Sequence, residues 1–96
     1  MDISKEITTI SSTVKEVGTT STTVLAANKN REYAILINDS DTTIYLALGT
    51  DAELNKGIRL NANGGSFEIN KTNPYKGEIN AICSVSGKKL LVTEGE

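Results

Sequence analysis

Tyr33-Ala34-Ile35-Leu36-Ile37-Asn38, followed at once by Asp39-Ser40-Asp41, is the stretch that decides the fold class. Its aromatic and β-branched residues favour a pleated, half-buried strand. The run is too short for a helix and stops in a cluster of Asn, Asp and Ser, whose side chains bond to their own turn backbone. Thr43-Ile44-Tyr45-Leu46-Ala47-Leu48 resumes the pattern. Ile44, Leu46 and Leu48 then share one face, as in a strand with one buried side.

The same reading extends outward. Ser66-Phe67-Glu68-Ile69 directs Phe67 and Ile69 inward, and Glu78–Ser84 groups Ile79, Ala81 and Cys83. Lys89–Thr93 closes a sheet, and Thr22–Ala26 and Gly57–Leu60 add two further strands. Turn clusters rich in Gly, Asn, Asp and Ser separate these runs, at residues 18–21, 38–41, 61–65 and 86–88. No strand–helix–strand alternation occurs, which argues against a parallel α/β sheet. The expected architecture is all-β: one small antiparallel β-sandwich or barrel of seven to eight strands with an N-terminal arm.

The first 17 residues admit two readings. Ile3, Ile7, Ile10, Val14 and Val17 fall at heptad-like spacings. In a coiled coil, Ile at both seam positions favours trimers or tetramers. The intervening Thr8, Thr9, Ser11, Ser12 and Thr13 are poor helix formers and good extended residues. Propensity favours an extended arm over residues 1–12, with Thr13–Val17 as the first strand of a domain covering residues 13–96.

With 96 residues and an aromatic content of 4%, the core is built from Ile, Leu, Val and Ala, and oligomerisation is a natural further source of stability. The net charge of −2 comes from 10 basic and 12 acidic residues scattered along the chain. No basic stripe or aromatic platform of a nucleic-acid binder is formed. No apolar run approaches the length of a membrane span. The single cysteine forms no disulfide within the chain, and residues 1–5 lack a signal-peptide layout, so synthesis in a reducing cytoplasm is expected.

The absence of histidine removes the commonest general base and metal ligand. Cys83 reads as a small buried apolar residue. Asp39, Asp41, Asp51 and Glu53 sit in or beside turns, where such residues serve the backbone. Asp39-Ser40-Asp41 departs from calcium-loop spacing, and Asn61–Gly65 from a phosphate loop. The chain is therefore expected to be non-enzymatic, with no cofactor and no metal. Tyr45, opposite the apolar face of its strand, and Tyr75, beside Pro74, are candidates for a small surface binding patch.

The stretches Ala26-Ala27-Asn28-Lys29-Asn30-Arg31, Asn38-Asp39-Ser40-Asp41 with Ile44-Tyr45-Leu46-Ala47-Leu48-Gly49, and Gly57-Ile58-Arg59-Leu60 with Gly64-Gly65-Ser66-Phe67-Glu68-Ile69 carry a resemblance. Over residues 24–94 the chain resembles small β-sandwich structural proteins of tailed bacteriophages and prophages. The resemblance implies a virion component, preferentially a capsid decoration protein on the outer shell. Its partners would be the major capsid protein and copies of itself, including a homotrimer, with neither nucleic acid nor membrane involved. In that role Ile3, Ile7, Ile10 and Val14 would form the capsid or subunit interface. The alternative is a tail-associated or host-surface glycan- or receptor-binding module, which would use Tyr45 and Tyr75.

Overall fold

A computed structural model of the protein describes residues 6–96. Among these residues there are eight strands: β1 Ile10–Val17, β2 Thr22–Leu25, β3 Tyr33–Asn38, β4 Ile44–Leu48, β5 Ile58–Leu60, β6 Ser66–Ile69, β7 Ile79–Cys83 and β8 Lys88–Gly95. They form two four-stranded sheets, in the orders β1-β8-β3-β6 and β2-β7-β4-β5. The pairings nest: β1 with β8, β2 with β7, β3 with β6 and β4 with β5, all antiparallel. One long antiparallel ribbon has thus been wrapped over itself, and it is sealed where β3 meets β8 and β4 meets β7. This is jelly-roll connectivity, a double-sheet arrangement of two Greek keys.

The core lies between the sheets. Alternation along β3 places Ala34, Leu36 and Asn38 inside, and β4 contributes Ile44 and Leu46. Beside β3, Ile69, Leu90 and Val92 complete one wall of the core, and beside β4, Ile79, Ala81 and Cys83 from β7 complete the other. Leu48 shares the inner side of β4 but falls at the strand end and is exposed. Phe67 packs against the core while remaining partly open. In β2 a register shift between Thr23 and Leu25 lets the adjacent Val24 and Leu25 both be buried, which strict alternation forbids.

Close backbone approach leaves no room for a side chain at Gly57 or at Gly65, where a Cβ would lie 2.3 Å from the Asn61 nitrogen. Gly57 enters β5 at φ 81°, and a Cβ there would lie 2.3 Å from the carbonyl oxygen of Leu46. A Cβ on Gly95 would lie 2.7 Å from Ile7, because the chain before β1 crosses that end of β8.

The N-terminal segment is extended rather than helical from Thr8 onward. Strand β1 starts at Ile10, three residues before the expected Thr13. The cause is β8, which runs to Gly95 and offers backbone partners along the whole length of β1, from Val17↔Lys88 to Ile10↔Gly95. The N–H groups of Thr8 and Thr9 both donate to the carbonyl of Glu96, at 2.9 and 3.0 Å.

Candidate interaction surface

The outer faces of the two sheets differ. On the outer side of β7 and β4 run Asn80 and Ile82, then Tyr45 and Ala47. The β4–β5 loop reaches across this side: Asn80 Nδ2 donates to the Thr50 carbonyl at 2.7 Å, and the Ala52 N–H donates to Ser21 Oγ at 2.8 Å. Asn80 also accepts from Thr23 Oγ1 at 2.7 Å. All five residues of β7 are consequently buried.

The outer face of the β1-β8-β3-β6 sheet has no such cover among the described residues. Its registers align the side chains in rows. One row is Val14, Leu91, Ile37 and Ser66; the next is Ser12, Thr93, Ile35 and Glu68; the third is Ile10, Gly95 and Tyr33. Ile7 lies over Gly95 in the third row. Ile10 and Val14 are 67% and 59% exposed, and Leu91, Ile35 and Ile37 are half-buried. Three strands about 4.8 Å apart and three rows about 6.8 Å apart outline an area on the order of 300 Å². Functional patches on monomers have this size. Its margins are polar: Glu16 faces Lys89 at one end, and Tyr33 donates to Glu68 at 2.8 Å at another. That hydrogen bond, followed by burial and the Glu68 charge, holds the Tyr33 phenol above its ordinary pKa. Within this outline the Ser12 and Thr93 hydroxyls, 3.1 Å apart, separate Ile10 from the apolar row of Val14, Leu91 and Ile37, and a face of mixed apolar and polar groups is usual for a non-obligate protein interface.

The structure therefore places Ile10 and Val14 on one sheet face, on either side of the Ser12–Thr93 hydroxyl pair. Ile7 joins it but spends part of its side chain on the chain's own β8. Ile3 lies outside the described residues. The sequence reading missed Ile35, Ile37 and Leu91, because alternation marks which residues share a face but not which faces remain bare.

Tyr45 and Tyr75 are not brought together. Tyr45 lies on the outer side of β4, donates to Asn55 Oδ1 at 2.9 Å, and borders a groove of about 430 Å³ with Leu54 and Val85. Tyr75 packs on the core and donates to the Glu78 carbonyl at 2.8 Å, beside Gly49 just past the other end of β4.

Of the turn acids, Glu53 pairs with Lys56, Oε1 to Nζ at 3.6 Å, and Asp41 with Lys88. Asp41 receives Lys88 Nζ at 2.7 Å and Thr42 Oγ1 at 2.9 Å, and this lowers its pKa below the ordinary carboxylate value. Among the described residues no three Cys, Asp or Glu side chains gather as a metal-binding group. Cys83 is fully buried, its sulfur 2.7 Å from the Val85 carbonyl.

A second feature escaped the sequence reading. Arg31 is 2% exposed. Its Nε donates to Glu94 Oε2 at 2.8 Å, Nη1 to the carbonyls of Tyr75 and Gly77 at 2.9 and 3.0 Å, and Nη2 to that of Ala26 at 2.6 Å. The guanidinium thereby joins the end of β2, the β6–β7 loop and β8, which belong to both sheets. Asn28 completes the cluster by donating to Glu94 at 3.2 Å and Glu96 at 2.7 Å. An isolated Arg followed by Glu carries no sequence signal that distinguishes a buried tie from a solvated charge.

No family model, curated protein or solved structure matches this chain.

Proposed function

We propose that this protein is a non-enzymatic structural component of a virion, a capsid decoration protein that docks on the outer shell through the bare face of its β1-β8-β3-β6 sheet. The observation that carries the proposal is the cross-strand apolar row of Val14, Leu91 and Ile37 on the side away from the core. Leaving such side chains in water forgoes roughly 25 cal/mol for each Å² that a partner would cover. The jelly-roll connectivity supports the reading by analogy, since viral capsid domains use it; lectin domains do too. The resemblance of residues 24–94 to phage structural proteins supplies the choice of partner.

The experiment is to mix the purified protein with capsid shells that lack it and measure bound copies per shell. Saturable, stoichiometric binding that is lost in Leu91→Glu is the expected result. Shells that bind no parent protein, or bind Leu91→Glu equally well, would refute the proposal.

A glycan- or receptor-binding role on a tail or host surface is the second reading. It is favoured by the groove beside Tyr45, where Leu54 and Val85 are 42% and 49% exposed. A glycan array that stays silent with the parent protein counts against it. Loss of a positive signal in Tyr45→Ala would support it.

A further inference from the structure

Strand β1 is the outer strand of its sheet, and its edge, unpaired among the described residues, is self-complementary. Thr9 and Glu96 exchange both backbone hydrogen bonds, at 3.0 and 2.9 Å. In an antiparallel ladder such bonded pairs alternate with non-bonded ones. Ser11, Thr13, Lys15 and Val17 therefore also direct their N–H and C=O groups toward β8. Ile10, Ser12, Val14 and Glu16 direct theirs away from it, into the open edge. Residues 7–14, Ile-Thr-Thr-Ile-Ser-Ser-Thr-Val, carry no charge, glycine or proline. An uncharged run rich in Ile, Thr and Val, on an edge unpaired among the described residues, forms a template for another strand.

We infer that the partner for this edge is a second copy of the chain, joined β1 to β1 about a two-fold axis through Ser12. That register sets Ile10 against the partner's Val14, Ser12 against the partner's Ser12, and Val14 against the partner's Ile10. All three pairs use the backbone groups that face the open edge, giving about six new main-chain hydrogen bonds. Apolar meets apolar on the outer face, and on the other face Ser11 meets the partner's Thr13. Shifting the register by two residues one way sets Ile10 against the partner's Glu16. Shifting it the other way leaves Ile10 opposite the partner's Ser12 and Val14 opposite the partner's Thr8. The charged Lys15-Glu16 pair marks the end of the neutral segment.

Because the axis is perpendicular to the sheet, both bare faces point the same way. The dimer presents one eight-stranded sheet whose uncovered face, apolar except for the central Ser12 and Thr93 hydroxyls, measures on the order of 600 Å², close to the ~800 Å² per partner of a standard protein interface. The edge contact itself is small. A strand of eight residues is about 27 Å long, and with a sheet about 10 Å deep it covers roughly 270 Å² per copy. That is about a third of a standard interface, so free protein pairs only weakly, and crowding on a surface drives pairing by raising the effective concentration. The inference rests on the proposed docking face only for where pairing takes place.

Sedimentation equilibrium of the full chain over a wide concentration series tests the inference. The expected result is a monomer–dimer equilibrium in the micromolar-to-millimolar range. Ser12→Pro should weaken it by about tenfold or more, because Pro removes an edge donor that β8 does not use. A circular dichroism melt checks that this variant is folded. Register is read with Ile10→Lys and Val14→Glu: each alone should be monomeric, and their equimolar mixture should form a heterodimer in which the introduced lysine of one copy meets the introduced glutamate of the other. A parent that stays monomeric to millimolar concentration, a trimer, or a mixture that fails to associate would overturn the inference. A monomer that still saturates shells refutes only the pairing; a dimer that binds no shell refutes only the docking role.

Discussion

Replacing Arg31 by Met should be among the most damaging single changes in this protein. The substitution keeps the length and apolar character of the side-chain stem but removes every donor. Glu94, whose side chain is 22% exposed, loses its ion-pair partner while Asn28 still donates to it. The carbonyls of Ala26, Tyr75 and Gly77, partly buried around the enclosed Arg31 side chain, lose their donors. Removing one member of a buried charge pair costs about 3–5 kcal/mol. Each lost hydrogen bond to a charged group accounts for roughly 1.5–3 kcal/mol, although such losses do not add. A loss of about 3–5 kcal/mol is expected, which for a domain of this size lowers Tm by roughly 15–30 °C. Urea unfolding followed by far-ultraviolet circular dichroism measures it. The double variant Arg31→Met/Glu94→Met sharpens the reasoning. A simple buried ion pair is often replaced by apolar residues without loss. Here the three carbonyls remain unserved, so the double variant should still lose about 2–4 kcal/mol. A loss below about 1 kcal/mol for Arg31→Met, or full recovery in the double variant, would refute the assignment of Arg31 as the tie between the sheets.

Leu36→Ala empties a fully buried site in the middle of β3 and should cost about 2–5 kcal/mol in the same urea assay. Ile37→Lys, one residue on but facing outward, should change stability by less than about 1 kcal/mol while abolishing binding to shells. Gly57→Ala should destabilise by more than about 1 kcal/mol, through both its positive φ and the clash with the Leu46 carbonyl. Asp41 has a folded pKa below its unfolded value. Its contribution is present above the unfolded pKa and is lost as the pH falls through the folded one. The Tm gap between parent and Asp41→Asn should therefore be small at neutral pH and close on acidification below about pH 4; a gap that persists at about pH 2 would show that the Lys88 pair is not its cause.

The fold was legible in the sequence wherever period-two alternation met a turn cluster. Tyr33–Asn38, Ile44–Leu48, Ser66–Ile69 and Ile79–Cys83 all appear as strands, because alternation and turn chemistry are local properties of consecutive residues. Where local preference was shared between states, the outcome rested on distant partners. The start of β1 at Ile10 follows from the reach of β8, and the double burial of Val24 and Leu25 follows from a register shift against β7.

The candidate surface was legible only in part. Ile10 and Val14 stood out as apolar residues spaced along a polar segment, whereas nothing in the sequence set Ile35, Ile37 and Leu91 apart from core residues. What separates them is which sheet face a loop covers, and a loop's path is set by contacts such as Asn80 to Thr50, 30 residues apart in sequence. The sequence by itself thus determined that the chain is a small all-β domain, sandwich or barrel, with a core based on Ile, Leu, Val and Ala. Only the tertiary structure decided that its ribbon wraps as a jelly roll, that Arg31 is buried as a tie, and that, among the described residues, β1 has an unpaired edge beside an uncovered sheet face. The physical reason is that strand periodicity is written in near neighbours, while burial and strand pairing are properties of residues brought together from opposite ends of the chain.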